Sequence, residues 1–116
     1  MATLLRSAEL TGTLQLLDLS EPAAARLLEI DLPRLRRILC GDERLPDDLH
    51  EVVEAISRFT DAVVAGMAGQ QQVTVYADDR AFIRALPRYA GYTAAWHRTA
   101  AARAAVRNPD LHIVYA

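Results

Sequence analysis

The 116-residue chain contains no lysine, a single cysteine and no long apolar run. Because all thirteen basic side chains are arginine, any positively charged surface of this protein consists of planar guanidinium groups. The one cysteine, Cys40, excludes an internal disulfide and fits a reducing cytosol. Hydrophobic residues make up 52% of the chain. Even so, no run of them approaches the roughly 18 consecutive apolar residues of a membrane span.

Other signals are also missing. The N-terminal residues lack the basic start and apolar stretch of a signal peptide, so we expect a cytoplasmic protein. Cys40 and the three histidines (His50, His97 and His112) do not have metal-ligand spacing, and we expect neither a metal nor a cofactor. No nucleophile–base pair, phosphate-binding loop or paired-carboxylate site is recognisable, so we do not expect an enzyme.

The charge is unevenly divided along the chain, whose length fits one domain or one small domain with an appendage. Residues 1–69 hold seven arginines against twelve acidic residues, whereas residues 70–116 hold six against three. The helical pattern also breaks at GQQQ, so we predict a domain boundary between residues 69 and 70. Because phosphate binding depends on local charge, the acidic first part does not exclude a nucleic-acid partner.

The first part, residues 1–69, has the signals of four helices. Ser20 and Asp31 are predicted to be the N-caps of the second and third helices, and Gly41 is predicted to end the third. The predicted helices span about residues 3–17, 21–28, 32–40 and 47–67. The longest of them carries an apolar stripe formed by Leu49, Val52, Val53, Ile56, Phe59, Val63 and Met67.

The second and third helices are too short to be stable alone, since fewer than about 12 residues are marginal in water. On the third helix, leucine and isoleucine occupy one narrow arc, and Arg34, Arg36 and Arg37 project from the other side. Two short helices joined by three residues predict a helix-turn-helix, in which the first helix positions the second for the major groove. Arginine suits that outward face because its guanidinium can donate two hydrogen bonds to guanine or pair with phosphate. The alternative is an ordinary solvated polar face.

The second part, residues 70–116, is predicted to be β-α-α-β. Its signals are a strand at residues 73–77, a short helix capped by Asp78 or Asp79, an alanine-rich helix over about residues 93–107, and a final strand in LHIVYA. The predicted fold class is therefore mainly α with a small α+β part. So short a segment must pack on the long preceding helix, on a second copy, or on both. The sequence leaves open whether its two strands pair within one subunit or between two.

Two stretches carry a family resemblance. SEPAAARLLEIDLPRLRRILCGDERLPDDL (residues 20–49) resembles the Xre-type, phage-repressor-like helix-turn-helix. VTVYADDRAFIRALPRYAGYTAAWHRTAAARAAV (residues 73–106) is similar to the C-terminal region of the YdiL-like group, which includes anti-CRISPR-associated repressors. The shared order is a strand, a D-x-x-A-F helix, an aromatic turn, a W-H-x-x-A-A-A helix and a strand.

The resemblance implies a homodimeric transcriptional repressor that binds double-stranded DNA at an inverted repeat and often controls its own operon. The first part would read DNA and the second would dimerise. The implied DNA-binding residues are Ser20, Glu21, Pro33, Arg34, Arg36, Arg37 and Arg44. The expected dimer interface includes Val73, Val75, Tyr76, Phe82, Tyr92, Trp96, Ile113 and Tyr115.

Two alternatives stay open. The acidic first part and the apolar C-terminal segment also fit an antitoxin-like or adaptor protein whose main partner is another protein. Glu21 stands where the family usually has glutamine, and it cannot donate a hydrogen bond. Leu39 and Cys40 likewise replace the polar residues that usually precede the closing glycine. A purely structural dimerisation module with a vestigial helix-turn-helix is therefore the third hypothesis. Trp96 and His97, which are surrounded by alanines, are expected to serve packing or an interface rather than a separate site.

Overall fold

The computed structural model describes residues 2–116, with side chains from Ser7 onward. Over these residues the chain forms six α-helices and one two-stranded sheet, which confirms the predicted mainly α class with a small β part. A 3₁₀ turn at Pro87–Tyr89 lies between the fifth and sixth helices. The elements are α1 (Ala2–Leu17), α2 (Glu21–Leu28), α3 (Leu32–Leu39), α4 (Asp47–Ala68), β1 (Gln72–Val75), α5 (Asp79–Ala85), α6 (Ala94–Arg107) and β2 (His112–Tyr115).

The chain divides into two compact units, Met1–Ser57 and Arg58–Ala116. The division lies within α4, whereas the predicted boundary between residues 69 and 70 followed the end of the helical pattern. The difference arises because Val64 and Met67, on the C-terminal half of α4, belong to the hydrophobic core of the second unit. Within the described residues, no helix combines the length and apolar character needed to cross a bilayer.

Helix α2 is held at both ends by local hydrogen bonds. The Ser20 hydroxyl accepts a hydrogen bond from the Ala23 amide at 3.3 Å, as the N-cap prediction requires. At the other end Glu29 adopts the left-handed conformation with φ of 57°. The Ile30 amide then donates to the Ala25 carbonyl at 3.1 Å, which closes the turn and directs the chain into α3.

The first unit buries one face of each short helix. Helix α3 packs against both α1 and α2. Leu35 and Ile38 of α3 are fully buried, and each contributes about 1.5–3 kcal/mol to stability by its transfer from water. Residues buried on the neighbouring helices are Leu10, Leu14 and Leu17 of α1 and Ala23, Ala24, Ala25 and Leu28 of α2. Tertiary packing therefore supplies the stability that two eight-residue helices lack alone.

The two strands of the second unit pair with each other in parallel, within one chain. The register runs from Gln72 opposite His112 to Val75 opposite Tyr115. The connection passes through α5 and α6, and α6 packs on both strands. This pairing answers the question that the sequence left open. The core cluster of the unit consists of Val64, Met67, Val73, Val75, Ala100, Ala101, Ala104 and Leu111.

Trp96 lies at the centre of an aromatic cluster in the second unit. It is completely buried, and its indole Nε1 donates a hydrogen bond to the Thr60 hydroxyl at 3.0 Å. Its ring centroid lies 4.2 Å from that of Tyr92 and 5.4 Å from that of Tyr89. Trp96 is therefore a packing residue of its own unit.

Half of the predicted dimer interface lies in this chain's own core. Four of its members, Val73, Val75, Phe82 and Trp96, are buried in this chain's own core, so their side chains are not available to a partner. Val73 and Val75 point to the same side because residues two apart along a strand share a face, and Trp96 is directed inward by its hydrogen bond to Thr60. Tyr76 and Tyr92 are half-buried, while Ile113 and Tyr115 are 39% and 68% exposed. For these four residues the interface stays a prediction.

Candidate nucleic-acid interface

The outward face of α3 is set by the residues that begin the helix and by those that lie beneath it. The Asp31 carboxylate caps the helix by accepting a hydrogen bond from the Arg34 amide at 2.7 Å. Pro33 lies in the first turn, where a missing amide hydrogen costs little, and its side chain is exposed. Because Leu35 and Ile38 are buried, the arginines of the same helix lie on its outward side.

Helix α3 ends in a glycine turn that returns the chain along the helix. Gly41 has a φ of 87°, a conformation that a side chain would strain. The Gly41 amide donates to the Ile38 carbonyl at 3.2 Å, and the Asp42 amide donates to the Arg37 carbonyl at 2.9 Å. The turn carries Glu43 back to a position beside the arginines.

Glu43 pairs with two of the three arginines. Arg34 Nε lies 2.7 Å from Glu43 Oε2, and Arg37 Nε lies 3.4 Å from Glu43 Oε1. The hydrogen bond from Arg34 is the main reason that the pKa of Glu43 is lowered, and the same bond raises the pKa of Arg34. Glu43 is therefore a carboxylate at neutral pH, and it offsets positive charge on this face.

The third arginine pairs with the start of α2. Arg36 Nε lies 3.4 Å from Glu21 Oε1, a contact that links the first turn of α2 to α3. The Arg36 side chain is 61% exposed and that of Glu21 is 44% exposed, so water screens the pair. Glu21 thus has a charge partner of its own, which the sequence analysis did not foresee.

The face formed by these five side chains, called here the α3 face (Glu21, Arg34, Arg36, Arg37 and Glu43), has one net positive charge from three guanidinium groups and two carboxylates. The side chains of Arg34 and Arg37 are 37% and 53% exposed. All three guanidinium groups therefore remain accessible to an anion. The Arg36–Glu21 pair is exposed on both sides and therefore weak, whereas the Glu43 side chain is only 29% exposed. A phosphate would therefore replace Glu21 more readily than Glu43.

The structure thus brings together four of the seven predicted DNA-binding residues: Glu21, Arg34, Arg36 and Arg37. Ser20 is exposed beside them and caps α2, and Pro33 is exposed at the start of α3. Arg44 is exposed in the connection that follows α3, and it makes no ion pair within residues 7–116. Sequence reasoning missed Glu43. The sequence shows two acidic residues, Asp42 and Glu43, after the helix-ending Gly41, but which of them lies beside the arginines depends on the path of the turn.

Within the described chain, the α3 face does not coincide with a metal site, and its neighbour Cys40 is an exposed free thiol. The Cys40 thiol is exposed and contacts the Arg37 carbonyl oxygen at 3.4 Å. In the part of the chain that the structure describes, no three His, Cys, Asp or Glu side chains are grouped to hold a metal ion.

In comparisons with known proteins, no family model matches the chain and no curated protein matches it significantly.

Proposed function

We propose that this protein is a sequence-specific DNA-binding transcriptional regulator of the helix-turn-helix class, and that it acts as a homodimeric repressor of its own gene. The observation that carries the proposal is the α3 face, in which three exposed guanidinium groups lie outside a helix whose other side is buried. In this arrangement α2 and α3 form the helix-turn-helix, and α3 enters the major groove.

Charge exchange explains how a face with two carboxylates can bind a polyanion. Arg36 would leave Glu21 for a phosphate or for guanine O6 and N7 with little loss, because that pair is solvent-exposed. Arg34 and Arg37 would exchange the partly buried Glu43 carboxylate for the same groups. Arg36 and Arg37 are the first candidates for base contacts because their side chains are the most exposed of the three. Ser20 and Arg44 would contact the DNA backbone at either side of α3.

A homodimer would bind an operator that is an inverted repeat. Two α3 helices would occupy successive major grooves about 34 Å apart, one turn of DNA. The exposed apolar residues of β2, Ile113 and Tyr115, are the candidates for the contact between subunits.

The direct test removes both base-contact candidates. We expect Arg36→Ala combined with Arg37→Ala to weaken binding to the DNA upstream of its own gene by roughly 30-fold or more, because each bidentate base contact discriminates by about 1–3 kcal/mol. The double variant should keep the wild-type sedimentation coefficient. The matched control is Arg80→Ala combined with Arg84→Ala, which removes two exposed arginines from α5. An unchanged gel shift for the α3 double variant, at the same salt concentration, would rule the proposal out.

A protein partner is the second candidate, and the ion pairs of the α3 face favour it. Glu21 and Glu43 leave this face close to neutral, which suits a polar protein surface better than a phosphate backbone. In this case the chain would be an antitoxin-like or adaptor protein. A stable heterocomplex after co-purification, combined with no duplex binding by the wild type, would support this candidate over the first.

A further inference from the structure

The second unit contains a cleft that the proposed function does not use. Its volume is about 190 Å³. An engineered apolar cavity of about 150 Å³ binds benzene, so the cleft has room for a six-membered ring and a small substituent. Met67 and Val73 line it as buried apolar residues, and Leu86 and Tyr89 add half-buried apolar surface.

One residue that lines the cleft has a buried nitrogen without a partner among the described residues. His97 lines the cleft and is only 3% exposed. Its Nδ1 makes no hydrogen bond within the described part of the chain. Buried polar atoms are nearly always hydrogen-bonded, and one left unpaired is costly. Burial, with a smaller contribution from Arg88, lowers the pKa of His97, so the imidazole is neutral at pH 7 and Nδ1 can carry the ring hydrogen.

The cleft also has an uncompensated positive charge. Arg88 lines it and is exposed, and its Cζ lies 4.7 Å from the centroid of the Tyr89 ring. This stacking holds the guanidinium group over an aromatic face. No carboxylate pairs with Arg88 among residues 7–116, in contrast to the arginines of the α3 face. An anion in the cleft would therefore meet a cation that has no competing partner.

We propose that this cleft is a binding site for a small aromatic carboxylate. The carboxylate accepts hydrogen bonds from the Arg88 guanidinium and from Nδ1–H of His97, and the ring packs against Met67, Val73 and Leu86. A cleft lined by a cation, a neutral donor and apolar side chains matches an amphipathic acid of benzoate size. This inference concerns the second unit alone and does not depend on DNA binding.

Calorimetric titration of the full chain with sodium benzoate tests the inference. We expect saturable binding of benzoate at millimolar concentrations or below. Benzamide has the same shape without the charge, and we expect it to bind about tenfold more weakly, as loss of one charge-assisted hydrogen bond implies. Arg88→Gln, at an exposed position that lines the cleft, should reduce benzoate affinity by a similar factor and leave the benzamide affinity unchanged. The control variant is Arg84→Gln, which replaces an exposed arginine outside the cleft and should change neither affinity.

A second measurement locates the binding. In amide NMR spectra, benzoate should shift the signals of residues 67–76 and 86–97 and leave those of the first unit in place. Three results would overturn the inference: no benzoate binding, equal binding by the wild type and Arg88→Gln, or shifts confined to residues outside the cleft. A crystal structure grown with benzoate that shows only an ordered water on His97 Nδ1 would also overturn it.

Discussion

The substitution Glu43→Gln distinguishes two interpretations of the α3 face, a DNA-binding surface and an ordinary solvated surface. The substitution keeps the size of the side chain and removes the carboxylate that pairs with Arg34 and Arg37. The α3 face then has two net positive charges instead of one. If this face binds DNA, Glu43→Gln should bind more tightly, because a carboxylate that repels phosphate has been removed and two guanidinium groups have lost their competing partner.

The size of the effect follows from counterion release. Each additional phosphate neutralised steepens the dependence of log K on log salt by about 0.9 for duplex DNA. One added charge per protomer therefore predicts an extra slope of about 0.9 for a monomer and about 1.8 for a dimer. Between 50 and 200 mM salt, binding by the variant should fall by an extra factor of about 3.5 or about 12, respectively.

The assay is fluorescence anisotropy with a labelled random-sequence duplex, since this electrostatic contribution does not require the operator. The matched control is Glu51→Gln, which makes the same charge change at an exposed position on α4. Equal slopes for the wild type, Glu43→Gln and Glu51→Gln would refute the reasoning. Failure of all three proteins to bind duplex DNA at low salt would also refute the reasoning.

Two further predictions concern stability. Because the pKa of His97 is lowered by burial, the unfolded chain takes up a proton at a higher pH than the folded chain does. The free energy of unfolding should therefore decrease as the pH falls below about 6.5, by at most about 1.4 kcal/mol per pH unit; an NMR titration midpoint for His97 at or above its ordinary value would contradict this. Glu29 has a φ of 57°. Glu29→Gly should therefore raise the free energy of unfolding in urea by about 0.5–1 kcal/mol. This gain is the cost of holding a side chain in the left-handed conformation, minus the extra entropy that glycine gives the unfolded chain. Glu29→Ala removes the same charge and should show no gain, so equal gains in both variants would count against the explanation.

Local rules were enough to predict the helices of the first unit. Ser20 and Asp31 cap α2 and α3, and Gly41 ends α3 in the left-handed conformation, because capping depends only on residues within one turn. The pairing of Arg34 and Arg37 with Glu43 could not be predicted in this way. It depends on the path of the chain after Gly41, which periodicity does not describe.

In the second unit, the buried face of α6 could not be predicted because the helix is rich in alanine. Alanines occur around most of α6, so spacing does not show which side packs on the sheet, and Trp96 could be expected at an interface. The stripe predicted for α4 has a similar fault. Phe59 is 41% exposed, whereas the neighbouring Thr60 is buried and its hydroxyl accepts a hydrogen bond from the Trp96 indole. The buried face of α4 thus includes a polar contact between distant residues, which hydrophobic periodicity does not detect.

The parallel pairing of β1 with β2 also bears on how the protein is synthesised. Residue 72 pairs with residue 112, an offset of 40 residues, and the two strands cannot meet until the later one has left the ribosome. At about 5–20 residues per second, β1 waits about 2–8 s for its partner. During that interval Val73 and Val75 lack the strand that completes their sheet. In a nascent chain arrested before His112, these apolar side chains would remain accessible to chaperones.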